Sequence, residues 1–283
     1  MIQFRLCAIF SEQIQRNLYT KSRIHSLFLF VILFLFSSLR ADQKINTSVH
    51  RYQLGTDLFW SHYGSGSSLN EKGMKLKTTV NGYFAGLRGG YDYLQPDAFY
   101  AGTEGVAAWG RDYIKQKISR SRFTTPTDCN CCKPRKMHQH ESHLWVNLEQ
   151  RLGYNAQSTI LPQFIVTPYI GIGWHYEAAN HDHAHWYYGA AGLKTLQRFY
   201  ERFELGFDFK AMFAFDIHDR MVISIMTTQE KKTFWGFETA IPIRWLITDS
   251  EKWDLEFKPY LLKLNLSSPQ TIIGFRFVFG YSF

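Results

Sequence analysis

From residue 50 onward the chain alternates between apolar and polar positions. Residues 50–61 put Tyr52, Leu54, Thr56, Leu58 and Trp60 on one parity and Gln53, Gly55, Asp57 and Phe59 on the other. A period of two marks an extended strand, because successive side chains point to opposite faces. The pattern returns in 80–94, where Tyr83, Ala85, Leu87, Gly89, Tyr91 and Tyr93 oppose Phe84, Gly86, Arg88, Gly90 and Asp92. Residues 98–110 form a Gly/Ala-rich strand with Glu104 inside, and in 144–154 Leu144, Val146, Leu148, Leu152 and Tyr154 oppose Asn147, Glu149, Arg151 and Gly153. In 163–177 Phe164, Val166, Ile170, Ile172, Trp174 and Tyr176 share a face. Pro168 lies on that strand and should cost one ladder hydrogen bond.

Residues 199–215 give the clearest alternation. Phe199, Phe203, Leu205, Phe207, Phe209, Ala211, Phe213 and Phe215 share one parity, and Arg202, Glu204, Gly206, Asp208 and Lys210 the other. A weaker strand is read at 221–228. Residues 233–248 put Trp235, Phe237, Ile241, Ile243 and Trp245 outside and Glu238 and Arg244 inside. Residues 253–261 put Trp253, Leu255, Phe257 and Leu261 outside and Asp254, Glu256, Lys258 and Tyr260 inside. The last strand carries Ile273, Phe275, Phe277, Phe279, Tyr281 and Phe283 against Gly274, Arg276, Val278, Gly280 and Ser282. These runs predict about ten antiparallel strands, with eight to twelve admitted by the pattern. Long connections near 61–75, 111–140 and 178–197 alternate with short ones at 95–97, 216–219 and 249–252, and 155–162 is intermediate. Such alternation suits an up-and-down barrel with one end facing outward.

Aromatic rings on one face and small or charged groups on the other are what a lipid-embedded barrel demands of each strand. In its terminal strand the chain resembles the outer-membrane β-barrel class of Gram-negative bacteria. The resemblance implies an all-β, antiparallel, up-and-down transmembrane barrel. It also implies that Phe279, Tyr281 and Phe283 form the signal read by the barrel-assembly machinery. At the other end, Leu27–Phe36 is an unbroken apolar run, preceded by Lys21, Arg23 and His25 and followed by Ser37-Ser38-Leu39-Arg40-Ala41. That is the layout of a secretory signal peptide. A spanning helix needs about 20 apolar residues, and Arg40 closes this run too early. The expected organisation is a signal peptide at 1–41, export through the Sec pathway to the outer membrane, and one barrel domain at 42–283.

Composition sharpens the choice between a membrane barrel and a soluble one. Soluble up-and-down barrels alternate too, with their apolar faces turned inward. Aromatic residues make up 17% of this chain, as 24 Phe, 16 Tyr and 8 Trp. A membrane barrel uses such rings in its outer band and interfacial girdles. The net charge is +8. Residues 1–41 hold five Lys/Arg and one acid, so the rest carries 27 basic and 23 acidic residues, a net +4. The basic residues scatter, which argues against nucleic acid as a partner.

The inner parities collect candidate lumen residues: Glu149, Arg151, Arg202, Glu204, Asp208, Lys210, Glu238, Arg244, Glu256, Lys258 and Arg276, with Glu104 beside them. About eight strands leave room only for side chains, whereas open channels take 16–18. Ten strands therefore favour a plugged or very narrow lumen and a structural, surface-exposed role, with outer-membrane lipids as partners. The alternatives are a small-solute porin and a barrel hydrolase acting on lipid or peptide. Cys129, Cys131 and Cys132 fall in one long loop, near His138, His140 and His143. Three cysteines in an oxidising compartment suggest at most one local bridge, leaving one for a disulfide-linked envelope partner. His181, His183 and His185 alternate and would project together, which suits a transition metal. No cofactor is expected. Among catalytic groupings, Asp216, His218 and Asp219 fall on a turn read as periplasmic, and His175 with Glu177 at an outer rim is the better candidate.

Overall fold

The computed structural model describes residues 50–283 except 65–67, 70–73, 121–135, 159–160, 162, 180–181, 201, 220–232, 248–251 and 266–268. Ten antiparallel strands close into a barrel. They are β1 (His50–Gly64), β2 (Met74–Tyr93), β3 (Ala98–Arg120), β4 (Lys136–Gln157), β5 (Phe164–Ala179), β6 (Asp182–Tyr200), β7 (Phe203–Asp219), β8 (Phe234–Ala240 continued by Ile243–Leu246), β9 (Trp253–Leu264) and β10 (Gln270–Ser282). Each pairs with its sequence neighbours. Closure comes from β1 against β10, in register from Arg51↔Ser282 to Tyr63↔Gln270. The short piece Ser68–Leu69 adds to the edge of β2.

The parity of the alternation is the parity of the barrel. Leu54, Tyr83, Leu87, Ile170, Ile172 and Phe275 are exposed on the outside, and so are most other large apolar side chains of their parity. Arg51, Asp57, Arg88, Glu149, Glu204, Lys210, Glu238, Asp254 and Arg276 are buried in the lumen. This is the reverse of a water-soluble barrel and the arrangement that a bilayer solvates. On β3 the outward apolar positions run from Phe99 to Trp109, after which Arg111 is exposed. Eleven residues at about 3.3 Å each, tilted by about 40°, span the thickness of a hydrocarbon core. The remainder of β3 and the facing part of β4 stand beyond that belt. The far end is therefore tall, and the near end carries the short turns.

Prolines interrupt the ladders without shifting register. At Pro168 the β4–β5 pairing lapses between Gly153↔Tyr169 and Ala156↔Val166, as expected for a residue lacking an N–H. Pro242 splits β8 in the same way, and its carbonyl accepts from the Gly206 N–H at 2.9 Å. Asp97, at φ 51°, closes the turn from β2 to β3. Its side chain accepts from the Gln157 N–H at 2.9 Å, tying the turn to the end of β4. Two inward glycines accept a ring from the neighbouring strand. Gly173 pairs with Tyr188, and Gly192 with Tyr169. A Cβ on either glycine would lie 2.2–2.3 Å from the tyrosine ring.

Two expectations need correction. The long loop expected at 178–197 is mostly β6, and the strand expected at 199–215 is the end of β6, a two-residue turn and β7. This turns β7 over, so Asp216, His218 and Asp219 lie at the far end rather than on a near-end turn. The expected strand 221–228 lies outside the described residues. Strands also occupy much of the loops expected near 61–75 and 111–140, since β1 runs to Gly64, β2 starts at Met74, β3 reaches Arg120 and β4 starts at Lys136.

The belt makes a direct prediction. Leu87→Arg, outward near mid-belt, should lower folding stability in vesicles by about 2–4 kcal/mol. Reversible urea unfolding measures it, and an unchanged midpoint would contradict the lipid-facing assignment.

Candidate functional site

The lumen is the site the strands build, and it is organised in layers. At its middle, eight charges of alternating sign form a closed circuit. Lys210 contacts Glu149 at 2.8 Å and Glu238 at 3.0 Å. Arg276 contacts Glu238 at 2.6 Å and Asp57 at 3.6 Å. Arg88 contacts Asp57 at 2.6 Å and also pairs with Glu104. Arg151 contacts Glu104 at 3.2 Å and closes the circuit by pairing with Glu149. Four acids and four bases balance, and each charge has an opposite charge on both sides.

The circuit crosses the barrel as well as following its wall. Lys210 on β7 reaches Glu149 on β4, and the Tyr188 hydroxyl donates to the same carboxylate at 2.7 Å. Register alone would place Glu104 directly opposite Glu149, and Lys258 opposite Arg276. Like charges so placed repel. Arg151 bridges the two glutamates, and Asp208 pairs with Lys258. The Arg276 guanidinium also lies 4.0 Å from the centre of the Tyr260 ring.

Toward the near end a second chain of charges runs across β6, β7, β8, β9 and β1. Arg198 contacts Glu204 at 2.7 Å, Arg244 contacts Glu204 at 3.0 Å and Glu256 at 3.4 Å, and Arg51 contacts Glu256 at 3.0 Å and Asp254 at 2.6 Å. Lys194 contacts Asp92 at 3.3 Å, and the Tyr100 hydroxyl donates to Asp92 at 2.7 Å.

Toward the far end the lumen is filled by rings. Phe84 stacks on Phe59 at 4.8 Å, and Phe59 meets Trp145 at 5.4 Å. Trp145 meets His175 at 4.7 Å, His175 stacks on Trp186 at 4.0 Å, and Trp186 meets Phe234 at 5.3 Å. Just beyond the apolar belt Asp112 Oδ2 lies 2.7 Å from His143 Nδ1, and within the ring layer Glu177 Oε1 lies 3.0 Å from His175 Nε2. Burial opposes charge on His143, yet the bond to Asp112 and the charge of Glu177 hold its pKa above the ordinary value.

The free space left is small. The largest lumen cavity described, lined by Arg51, Asp92, Lys194, Asp208, Arg244 and Lys258 among others, has about 60 Å³ of free volume. Cavities of about 30 and 10 Å³ lie further along the lumen. One water needs roughly 10–15 Å³ of such volume, so the first two spaces suit a few waters and the last one at most.

Of the expected lumen residues, Glu104, Glu149, Arg151, Glu204, Asp208, Lys210, Glu238, Arg244, Glu256, Lys258 and Arg276 all face the lumen. Arg202 does not: it is exposed on the two-residue turn between β6 and β7. Arg51, Asp57, Arg88, Asp92, Lys194, Arg198 and Asp254 were missing from that set. All but Lys194 and Arg198 sit on the inner parity of strands correctly read, so the signal was there. Cys129, Cys131, Cys132 and His181 lie outside the described residues. His183 and His185 lie on the outer parity of β6, and among the described residues no cluster of three or more His, Cys, Asp or Glu is placed to hold a metal ion. His175 and Glu177 do pair at the far end, walled by Trp145 and Trp186 inside the lumen.

No family model matches the chain, and no curated protein sequence does. Solved structures are similar to it over most of their length. The outer membrane protease OmpT from Escherichia coli is 11% identical, with 87% of this chain and 100% of that one covered and a TM-score of 0.48. The translocator domain of the autotransporter NalP from Neisseria meningitidis is 12% identical, with 93% and 97% covered and a TM-score of 0.44. The outer membrane protein OprG from Pseudomonas aeruginosa is 12% identical, with 83% and 97% covered and a TM-score of 0.34.

Removing one partner of a buried, hydrogen-bonded charge pair costs about 3–5 kcal/mol. Lys210→Met should therefore destabilise the barrel by about that amount, read as a lower temperature of heat-modifiable gel migration. The double change Lys210→Met with Glu149→Gln should recover part of the loss, because it leaves Glu238, Arg276, Asp57, Arg88, Glu104 and Arg151 as a balanced open chain. Additive losses in the double variant would refute coupling through the circuit.

Proposed function

We propose that this chain is an outer-membrane barrel with a sealed lumen, serving as a structural element that presents its far end at the cell surface rather than as a solute channel. The observation that carries the reading is the closed circuit of eight charges. A permeating ion or solute would have to break these buried pairs and then pass the packed rings from Phe84 to Phe234. The tall wall of β2, β3 and β4 supports the surface role, since the belt accounts for only half of β3.

In this reading the near end faces the periplasm and the far end the exterior. Export through the Sec pathway, insertion by the barrel-assembly machinery through Phe279, Tyr281 and Phe283, and solvation by outer-membrane lipids follow from it. A disulfide link from Cys129, Cys131 or Cys132 to an envelope partner belongs to the same proposal.

Planar-bilayer recording decides between a sealed barrel and a porin. The unaltered protein, inserted from detergent, should give no stepwise conductance in 1 M salt. Stable, reproducible steps from protein that migrates as a folded barrel would replace the sealed reading with the porin one.

A further inference from the structure

The outward face of the tall wall has a charge pattern of its own. Antiparallel register sets three rows just beyond the apolar belt: Tyr83↔Arg111↔Ser142, Asn81↔Tyr113↔His140 and Thr79↔Lys115↔His138. Arg111, Lys115, His138 and His140 are exposed. Tyr83 in the lowest row and Trp109 immediately below it are exposed, at the level where interfacial aromatic girdles sit.

Every acid on these three strands has the opposite parity. Asp92, Glu104, Asp112, Glu141 and Glu149 all point toward the lumen side. No described carboxylate pairs with Arg111 or Lys115. Between these two cations, which lie four residues apart on one strand and so roughly 13 Å apart, Tyr113 forms a platform. Its ring stacks on His138 at 5.4 Å and leans on His140 at 5.1 Å, and its hydroxyl meets His138 Nδ1. The patch thus offers two unneutralised cations, imidazole donors and a flat aromatic surface, continuous with the lipid-facing belt.

We propose that this patch binds the headgroup of a phosphorylated glycolipid in the outer leaflet. Arg111 and Lys115 would take phosphate oxygens, Arg in its bidentate geometry. The Tyr113–His138–His140 platform would pack against the sugar ring, while the acyl chains lie along Tyr83 and Trp109. Attraction of this kind is screened only weakly beside a low-dielectric slab and falls off within a Debye length of it. The proposal rests on the outer-membrane reading and on neither a sealed nor an open lumen, so the conductance experiment does not bear on it.

The test is thermal unfolding of the purified protein in detergent with added diphosphorylated lipid A or its dephosphorylated form. The diphosphorylated lipid should raise the unfolding temperature by several degrees more than the dephosphorylated one. That difference should vanish in Arg111→Ala with Lys115→Ala, and persist in Lys263→Ala, which removes an outward cation on β9. All three positions are exposed, so the variants should migrate as folded barrels. Equal protection by both lipids, a difference surviving in the double variant, or its loss in Lys263→Ala would overturn the proposal. So would an equal shift with inorganic pyrophosphate, which would make the patch a site for free anions.

Discussion

A charge buried in a narrow barrel has little water to turn to, and that constraint organises this molecule. Desolvating a single carboxylate or guanidinium costs several kcal/mol even after relaxation. Side chains fill most of this ten-stranded lumen and leave room for only a few waters in the described cavities. The solution is the circuit through Glu149, Lys210, Glu238, Arg276, Asp57, Arg88, Glu104 and Arg151, in which every charge is neutralised from two sides. Because the circuit closes on itself, no member is left at an end to demand a counterion.

The same groups define register. A slip of one residue in any strand would turn its inward charges to lipid and its outward rings to the lumen. Each Arg or Lys so exposed at mid-bilayer costs about 2–4 kcal/mol. An apolar lumen would lack this discrimination, since both faces of each strand would then tolerate lipid. The ionic interior therefore does for strand registration what its net Coulomb energy, largely offset by desolvation, would not do for stability. The rings at the far end add packing where charges thin out, and Tyr188 joins the two layers by covering Gly173 while donating to Glu149.

Most of this was legible in the alternation. Faces were assigned correctly wherever the outer parity was bulky and the inner one small or charged, as in β4 and β10. β6 broke that rule and was missed. Its inner positions include Trp186, Tyr188 and Lys194, and its outer ones Gly189 and Ala191, so amphipathicity reads weakly or backward. The turn after it has only two residues, so the outward parity of Phe199 continues unbroken into Phe203 and Leu205 and two strands read as one. Arg202 shares the parity of the lumen residues and differs from them only by lying on that turn. The circuit itself was not legible, because pairs that complete it, such as Lys210–Glu149 and Arg276–Asp57, join strands far apart in the chain.

On the proposed sealed-lumen reading, the question of function moves to the surface. The belt is generic: any mixture of Phe, Leu, Ile and Trp at those positions would satisfy the hydrocarbon. The lumen is specific, but its specificity is spent on holding the strands in place. What remains distinctive is the unequal height of the wall. β3 has 23 residues where a tilted span needs about 9–11, and from Trp109 to Arg120 it rises roughly 28 Å along the barrel axis at a tilt near 40°. Holding so long an extension in strand form beyond the bilayer costs backbone entropy that the membrane does not offset. The inward bonds of Asp112 and His143 and the long pairing of β3 with β4 offset it instead. A chain that needed only to span would end these strands at the girdle, so the extension is where interaction with the exterior is to be sought.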